Sequence, residues 1–246
     1  MSKNLIRFFM ALLFCLSLLS GPAAAVDLPI VFEEYPPYEY TDNGVVKGIN
    51  MDLIREAFRR MDITPIFEAR PWKRALFELE YGEVLALSSG FKTPKRETFA
   101  IFPSESLSME TLVVVALSVS GVEVNSLDDL RGLKVGVIRE YSYGHEFDSM
   151  QGLTKIQASS NPQLLKMLLN QRMDVVIANK AVMKHLAREM GEEASIKFVY
   201  KVTSEPLYLF FSRARGVVAE GLARDFGKAI RSMHEDGTFK AIESSY

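Results

Sequence analysis

Leu28-Pro29-Ile30-Val31-Phe32 opens the stretch that decides the fold. Its apolar run is strand-sized and bounded by turn residues, which reads as a buried strand. Over residues 52–61 the spacing becomes helical, with Leu53, Ile54, Ala57, Phe58 and Met61 on one face. Residues 63–67 read as a second strand. Residues 72–81 read as a second helix with Ala75, Leu76 and Leu79 inward, and residues 84–87 as a third strand running into Ser88-Ser89-Gly90. Strand, helix, strand, helix, strand specifies a parallel sheet wound by helices. Between the first strand and first helix, Pro36-Pro37 forces an irregular loop, and Asp42-Asn43-Gly44 signals a hairpin turn.

Outward from this unit the pattern recurs. Residues 112–117 form a long apolar strand, and Ser126-Leu127-Asp128-Asp129-Leu130 a capped helical turn. A second α/β run follows: strands at 134–138, 153–157 and 174–178, and helices at 142–150, 162–170 and 181–190. Two further strands are expected at 196–202 and 207–212, and the rest, from Val217, is helical. The expected fold class is therefore α/β, built as two lobes with a cleft between them.

The composition is that of a globular protein: 246 residues, 48% hydrophobic and 24% charged. A net charge of −2 argues against a general nucleic-acid grip, which needs a basic surface. There is no CxxC pair, and His145, His185 and His234 are scattered, so neither metal nor cofactor is expected. At the N-terminus, Lys3 and Arg7 precede an apolar run from Phe8 to Leu19, followed by Ser20-Gly21-Pro22 and Ala23-Ala24-Ala25. This order predicts a secretory signal peptide over residues 1–25, cleaved near Ala25 and leaving a soluble periplasmic monomer. The run is shorter than the roughly 20 residues a membrane span needs. Cys15 lies inside it after the bulky Phe14, so it is not read as a lipid carrier.

In open α/β sheets ligands sit beyond the carboxyl ends of the strands. Those ends carry Glu33, Glu34 and Tyr35; Ser88, Ser89 and Phe91, with Arg96 just beyond; Glu140, Tyr141 and Ser142; and Asn179. The set suits a small polar ligand held by hydrogen bonds and ring stacking. The chain lacks G-x-S-x-G, a P-loop and H-E-x-x-H, so no catalytic residue is assigned and the protein is not expected to be an enzyme. Glu33, Glu34 and Glu140 read first as solvated loop carboxylates. Arg96 reads either as a surface arginine in a basic loop or as a bidentate carboxylate clamp. Trp72 reads as core, and Ser142 as a helix N-cap.

Several segments together resemble a known family. They include Tyr35-Pro36-Pro37-Tyr38-Glu39, Gly48 through Asp52-Leu53, Pro71-Trp72-Lys73-Arg74-Ala75-Leu76, Phe91-Lys92-Thr93-Pro94-Lys95-Arg96, Leu130-Arg131-Gly132-Leu133-Lys134-Val135-Gly136-Val137, Tyr141-Ser142-Tyr143-Gly144 and His234-Glu235-Asp236-Gly237-Thr238-Phe239. In order and content they resemble the bacterial extracellular solute-binding proteins of family 3, the amino-acid-binding subunits of ABC importers. The resemblance implies a type II periplasmic binding fold with a hinge of two crossing strands. Lobe 1 would comprise residues 26–111 and 207–246, and lobe 2 residues 112–206. A small ligand, an amino acid or organic acid, would close the lobes, and an ABC permease would be the partner.

The resemblance also places the ligand contacts. Arg96 falls at the ligand-carboxylate arginine, Ser89 and Ser142 at hydroxyl contacts, and Tyr35 and Trp72 at flanking aromatics. Phe91 stands where some members have serine. Asn179 stands where amino-acid binders place the aspartate that holds the ligand ammonium, and Phe32 where some have a second one. A cyclohexadienyl-dehydratase-like enzyme on the same fold and a stand-alone ligand sensor are the competing functions.

Overall fold

The structure is a computed structural model and describes residues 27–246. The signal peptide expected over residues 1–25, with its cleavage near Ala25, lies outside the described residues. β1 (Asp27–Phe32) leads through an irregular loop to the hairpin β2 (Tyr40–Asp42) and β3 (Val45–Lys47). Asn43 and Gly44 take the positive φ values, 50° and 78°, that a two-residue hairpin loop demands. Then come α1 (Ile49–Arg59), β4 (Thr64–Ala69), α2 (Trp72–Glu80), β5 (Ala86–Phe91), the short α3 (Pro94–Glu97), β6 (Ala100–Ile101) and the long β7 (Ser108–Leu117). The second half holds β8 (Lys134–Ile138), α4 (His145–Ser149), β9 (Thr154–Ala158), α5 (Asn161–Leu169), β10 (Val175–Asn179) and α6 (Lys180–Glu189). β11 (Ile196–Ser212), α7 (Val217–Glu235) and α8 (Thr238–Glu243) complete the chain.

Strand order is β4-β1-β5-β11-β7-β10-β8-β9, with β6 also beside β11. β1 runs parallel to β4 and β5, and β8 parallel to β9 and β10, as right-handed strand–helix–strand winding requires. β7 and β11 are antiparallel to each other and carry the chain between the halves. Residues 196–202 and 207–212, expected as two strands, are one strand of 17 residues. Thr203-Ser204-Glu205-Pro206 looks like a polar break. β7 nevertheless offers it a partner along its whole length, with Pro206 opposite Met109, and register shifts near Phe198 and Lys201 absorb the twist. The helix expected over 142–150 is confined to His145–Ser149 and starts at Gly144, so Ser142 is not its N-cap.

These nine strands form one hydrogen-bonded sheet, and each half of it is covered on both faces. Ile30 and Phe32 face α1 and α7, where they meet Phe58, Phe211 and Phe226. Val31, one residue out of phase, faces the opposite side with Trp72, Leu79, Leu87 and Phe210. In the second half Val113, Val115, Val176 and Ala178 pack on Leu164, Leu168, Val182 and Met183. Val114, Val135, Val175 and Ile177 pack on Leu130 and Phe147. With both faces covered, the parallel strands read as continuous apolar runs. Among the described residues no helix is long and apolar enough to cross a membrane.

Candidate functional site

The carboxyl ends of β1, β5 and β8 converge on one cleft. There Tyr35, Trp72, Ser89, Phe91, Arg96 and Ser142 line a small cavity of about 30 Å³ together with Glu33, Glu39, Glu110 and Tyr141. Phe91, Arg96, Tyr141 and Ser142 also wall a larger cavity of about 640 Å³ on the α3 side. Asn179, the remaining residue expected at the site, lines neither. Its side-chain oxygen caps α6, accepting from the N–H groups of Ala181 and Val182 at 2.8 and 3.1 Å.

Local sequence aims Arg96. Thr93 is the N-cap of α3 and accepts from the Arg96 N–H at 3.2 Å, and Pro94 fixes the first turn. The guanidinium thereby folds back over β5, only 6% exposed. It donates to the Phe91 carbonyl at 2.8 Å and reaches the Glu140 carbonyl at 3.5 Å. It also lies 5.0 Å from the Trp72 ring centre, a cation–π distance. Gly90 makes this packing feasible: a Cβ there would stand 2.8 Å from Trp72 Cη2 and 3.1 Å from Arg96 Nη1. Among the described residues no carboxylate forms an ion pair with Arg96, and burial pulls its pKa down to about 10.

The aromatic residues tie the halves together. The Tyr35 hydroxyl donates to Glu110, and its ring stands 5.9 Å from Tyr38 and 6.4 Å from Tyr141. The Trp72 indole N–H donates to the Glu140 carbonyl at 3.0 Å, so Trp72 belongs both to the core under α2 and to the cleft. The Tyr141 hydroxyl donates to Glu33 and accepts from Asn161 Nδ2 at 3.2 Å. The hydroxyls are otherwise engaged within the protein. Ser89 donates its N–H to Glu39 at 2.8 Å and its hydroxyl at 3.3 Å, while Ser142 donates to Asp148 at 2.6 Å.

Three carboxyls distinguish this cleft. Glu33, expected to be solvated, is 7% exposed and has its pKa raised to about 8, chiefly by burial and further by nearby Glu39, against the Tyr141 hydrogen bond. Glu39 and Glu110 are buried and raised to about 7 by desolvation, despite hydrogen bonds from Ser88 and Ser89 to the first and from Tyr35 to the second. Glu34 instead takes the Thr41 N–H and hydroxyl at 2.9 and 2.6 Å, and Glu140 sits at the mouth 3.4 Å from Lys95. Sequence reasoning did not single out Glu39 or Glu110 as site residues, and it noted Tyr141 only among the residues at the strand ends. For Glu110 a signal exists: it shares a strand face with the buried Ser108 and Leu112.

These acids set a pH dependence. Their folded pKa values exceed the ordinary carboxyl value of 4.5, so between about pH 4.5 and 8 the folded chain binds more protons than the unfolded one. Stability from this source is fully present below pH 4.5 and is lost as pH rises toward 8. Denaturation of the unliganded protein should show lower stability at pH 8 than at pH 5. Glu33→Gln should flatten that slope, and an equally steep slope in the variant would assign the loss to other groups.

The sequence profile of the bacterial extracellular solute-binding proteins, family 3, matches residues 30–246, and the chain belongs to that family. It is a family of extracellular binding proteins. A search of curated proteins gives no match. Among solved structures the chain is similar to a histidine kinase sensor domain with similarity to periplasmic binding proteins. The TM-score is 0.81 at 21% identity, covering 90% of this chain and 96% of that one. It is also similar to an ancestral arginine-binding protein bound to arginine, with TM-score 0.78 at 21% identity, covering 89% and 97%. A third is the arginine-, lysine-, histidine-binding protein ArtJ of Geobacillus stearothermophilus, with TM-score 0.76 at 19% identity, covering 89% and 94%.

Proposed function

We propose that this protein captures a small carboxylate-bearing polar solute, an amino acid or a relative, between two lobes. Lobe 1 is residues 26–111 and 207–246, and lobe 2 is residues 112–206. The mature chain, cleaved near Ala25, acts as a periplasmic monomer and delivers the solute to an ABC permease. The observation that carries the reading is Arg96: a buried guanidinium at the wall of the cleft whose hydrogen bonds go to carbonyls. A carboxylate satisfies such a group with two parallel, charge-assisted hydrogen bonds. Tyr35, Trp72, Ser89, Phe91 and Ser142 surround that point, and the contacts of Trp72 and Tyr141 across the cleft depend on closure. A ligand touching both sides therefore shifts the population toward the closed form.

The test is a thermal-shift screen of amino acids, organic acids and polyamines. A native-state ligand raises the melting temperature by mass action, so at least one carboxylate should do so. A response to polyamines alone would overturn the reading. Glu33 favours an enzyme as the second reading, because a buried carboxyl with a pKa of about 8 suits a general acid. Turnover of prephenate or arogenate, abolished by Glu33→Gln, would decide for it.

A further inference from the structure

The cleft holds two cavities, and Tyr141 stands between them. The inner one, about 30 Å³, has room for water but not for a ligand. The outer one, about 640 Å³, falls within the roughly 300–1,000 Å³ of small-molecule sites. Phe91, Arg96, Tyr141 and Ser142 line both. The Tyr141 ring meets Trp72 edge-on at 5.6 Å and Tyr35 at 6.4 Å, and its hydroxyl is held by Glu33 and Asn161. A side chain fixed at its ring and at its tip acts as a wall. Behind it, Glu33, Glu39 and Glu110 line the inner cavity alone, and each already takes a hydroxyl from the protein, from Tyr141, Ser88 and Tyr35 respectively.

The outer cavity has a different wall. Leu76 and Phe77 of α2, Phe91 at the end of β5, Phe99 beyond α3 and Tyr141 from the loop after β8 give it an apolar side with four rings. Phe77 is 53% exposed even though Tyr81, one turn on, lies at 4.5 Å. A ligand covering that ring would take apolar surface out of water. The charged side chains of the wall balance, with four cations, Arg96 included, and four acids. Lys95 pairs with Glu140 at 3.4 Å, Asp148 takes the Ser142 hydroxyl at 2.6 Å, and Glu205 takes the Thr203 hydroxyl at 2.9 Å. Arg96, whose donors go to carbonyls, is the buried charge left for a ligand.

We propose that the outer cavity is the binding site for the ligand's body, and that the ligand is a monocarboxylate carrying an aromatic ring, with no ammonium required. The inference rests on the reading of Arg96 as the carboxylate clamp and names what that carboxylate is attached to. The carboxylate sits at Arg96, where the two cavities meet. The ring lies outward, against Leu76, Phe77, Phe91 and Phe99, where offset and edge-to-face contacts with the rings already present favour an aromatic body. Tyr141 closes the inner end and sets the depth of the site. α2 and α3 supply one side of the cavity, and the loop after β8 with the start of α4 supplies the other. The ligand's body therefore touches both halves of the cleft.

Calorimetry on the full chain with 3-phenylpropanoate, L-phenylalanine, L-arginine and glutarate tests this. The first two differ only in the α-ammonium, so 3-phenylpropanoate should bind at least as tightly as L-phenylalanine. L-Arginine and glutarate, which lack the ring, should bind at least tenfold more weakly. Phe77→Ser, an exposed position on α2, should weaken 3-phenylpropanoate about tenfold, the effect of uncovering part of one ring, and Phe77→Leu should recover most of the loss. An unchanged affinity in Phe77→Ser overturns the placement in the outer cavity. L-Phenylalanine bound tenfold or more tighter than 3-phenylpropanoate overturns the ligand class, because an ammonium is then required. Arg96-dependent binding of L-arginine or glutarate at equal or higher affinity overturns it too, and leaves carboxylate capture standing. Binding of none of the four overturns this inference, and carboxylate capture is then decided by the thermal-shift screen.

Discussion

Replacing Arg96 by alanine should weaken binding of a carboxylate ligand by about 2–5 kcal/mol, the range for truncating one partner of a desolvated charge pair. That is roughly 30-fold to several-thousand-fold in Kd, at about 1.4 kcal/mol per tenfold. The effect is large because the guanidinium is buried over Trp72 and donates only to carbonyls, so no other cation in the cavity substitutes for it. Arg96→Lys should recover part of the loss. An ammonium restores the charge but cannot make the parallel fork, and it packs less well on the indole. Calorimetry on both variants, with the carboxylate found by thermal shift, measures this. Wild-type affinity in Arg96→Ala would make Arg96 a structural residue that ties α3 to β5.

Gly48→Ala should cost about 3 kcal/mol or more of stability, combining backbone strain with a clash that no side chain can relieve. Gly48 sits at φ 120°, and a Cβ there would lie 2.2 Å from the Tyr38 carbonyl oxygen and 2.8 Å from the Glu39 nitrogen. The same carbonyl accepts the Asn50 N–H at 3.0 Å, which anchors the loop to the start of α1. Since that loop carries Tyr35, Tyr38 and Glu39 into the cleft, binding should fail even where the variant remains folded. Gly44→Ala is the matched control. Its φ is also positive, at 78°, but nothing lies within 4 Å of the added atom, so only about 1–2 kcal/mol of left-handed strain is expected. Equal losses in the two variants by chemical denaturation would refute the clash argument.

Much of this protein is legible locally. The strand at Lys134–Ile138, the hairpin at Asn43-Gly44, the Ser126–Asp129 capping box and the helices α1, α2 and α5–α7 follow from hydrophobic period and turn chemistry. Each is decided within a few residues. Thr93-Pro94 likewise fixes the turn that aims Arg96, and the rule that ligands gather at strand ends brings Tyr35, Ser89, Phe91 and Ser142 into one neighbourhood. Tertiary structure decides what depends on partners far along the chain. β11 is a single strand because β7 pairs with its polar middle. Asn179 leaves the cavity wall to cap a helix whose free N–H groups its own position exposes. Above all, Glu33, Glu39 and Glu110 become buried acids only because the loop after β1, β5, β7 and Tyr141 close around them. A carboxyl's charge state follows its desolvation and its neighbours, and for these three both are set by contacts between residues as many as 108 positions apart.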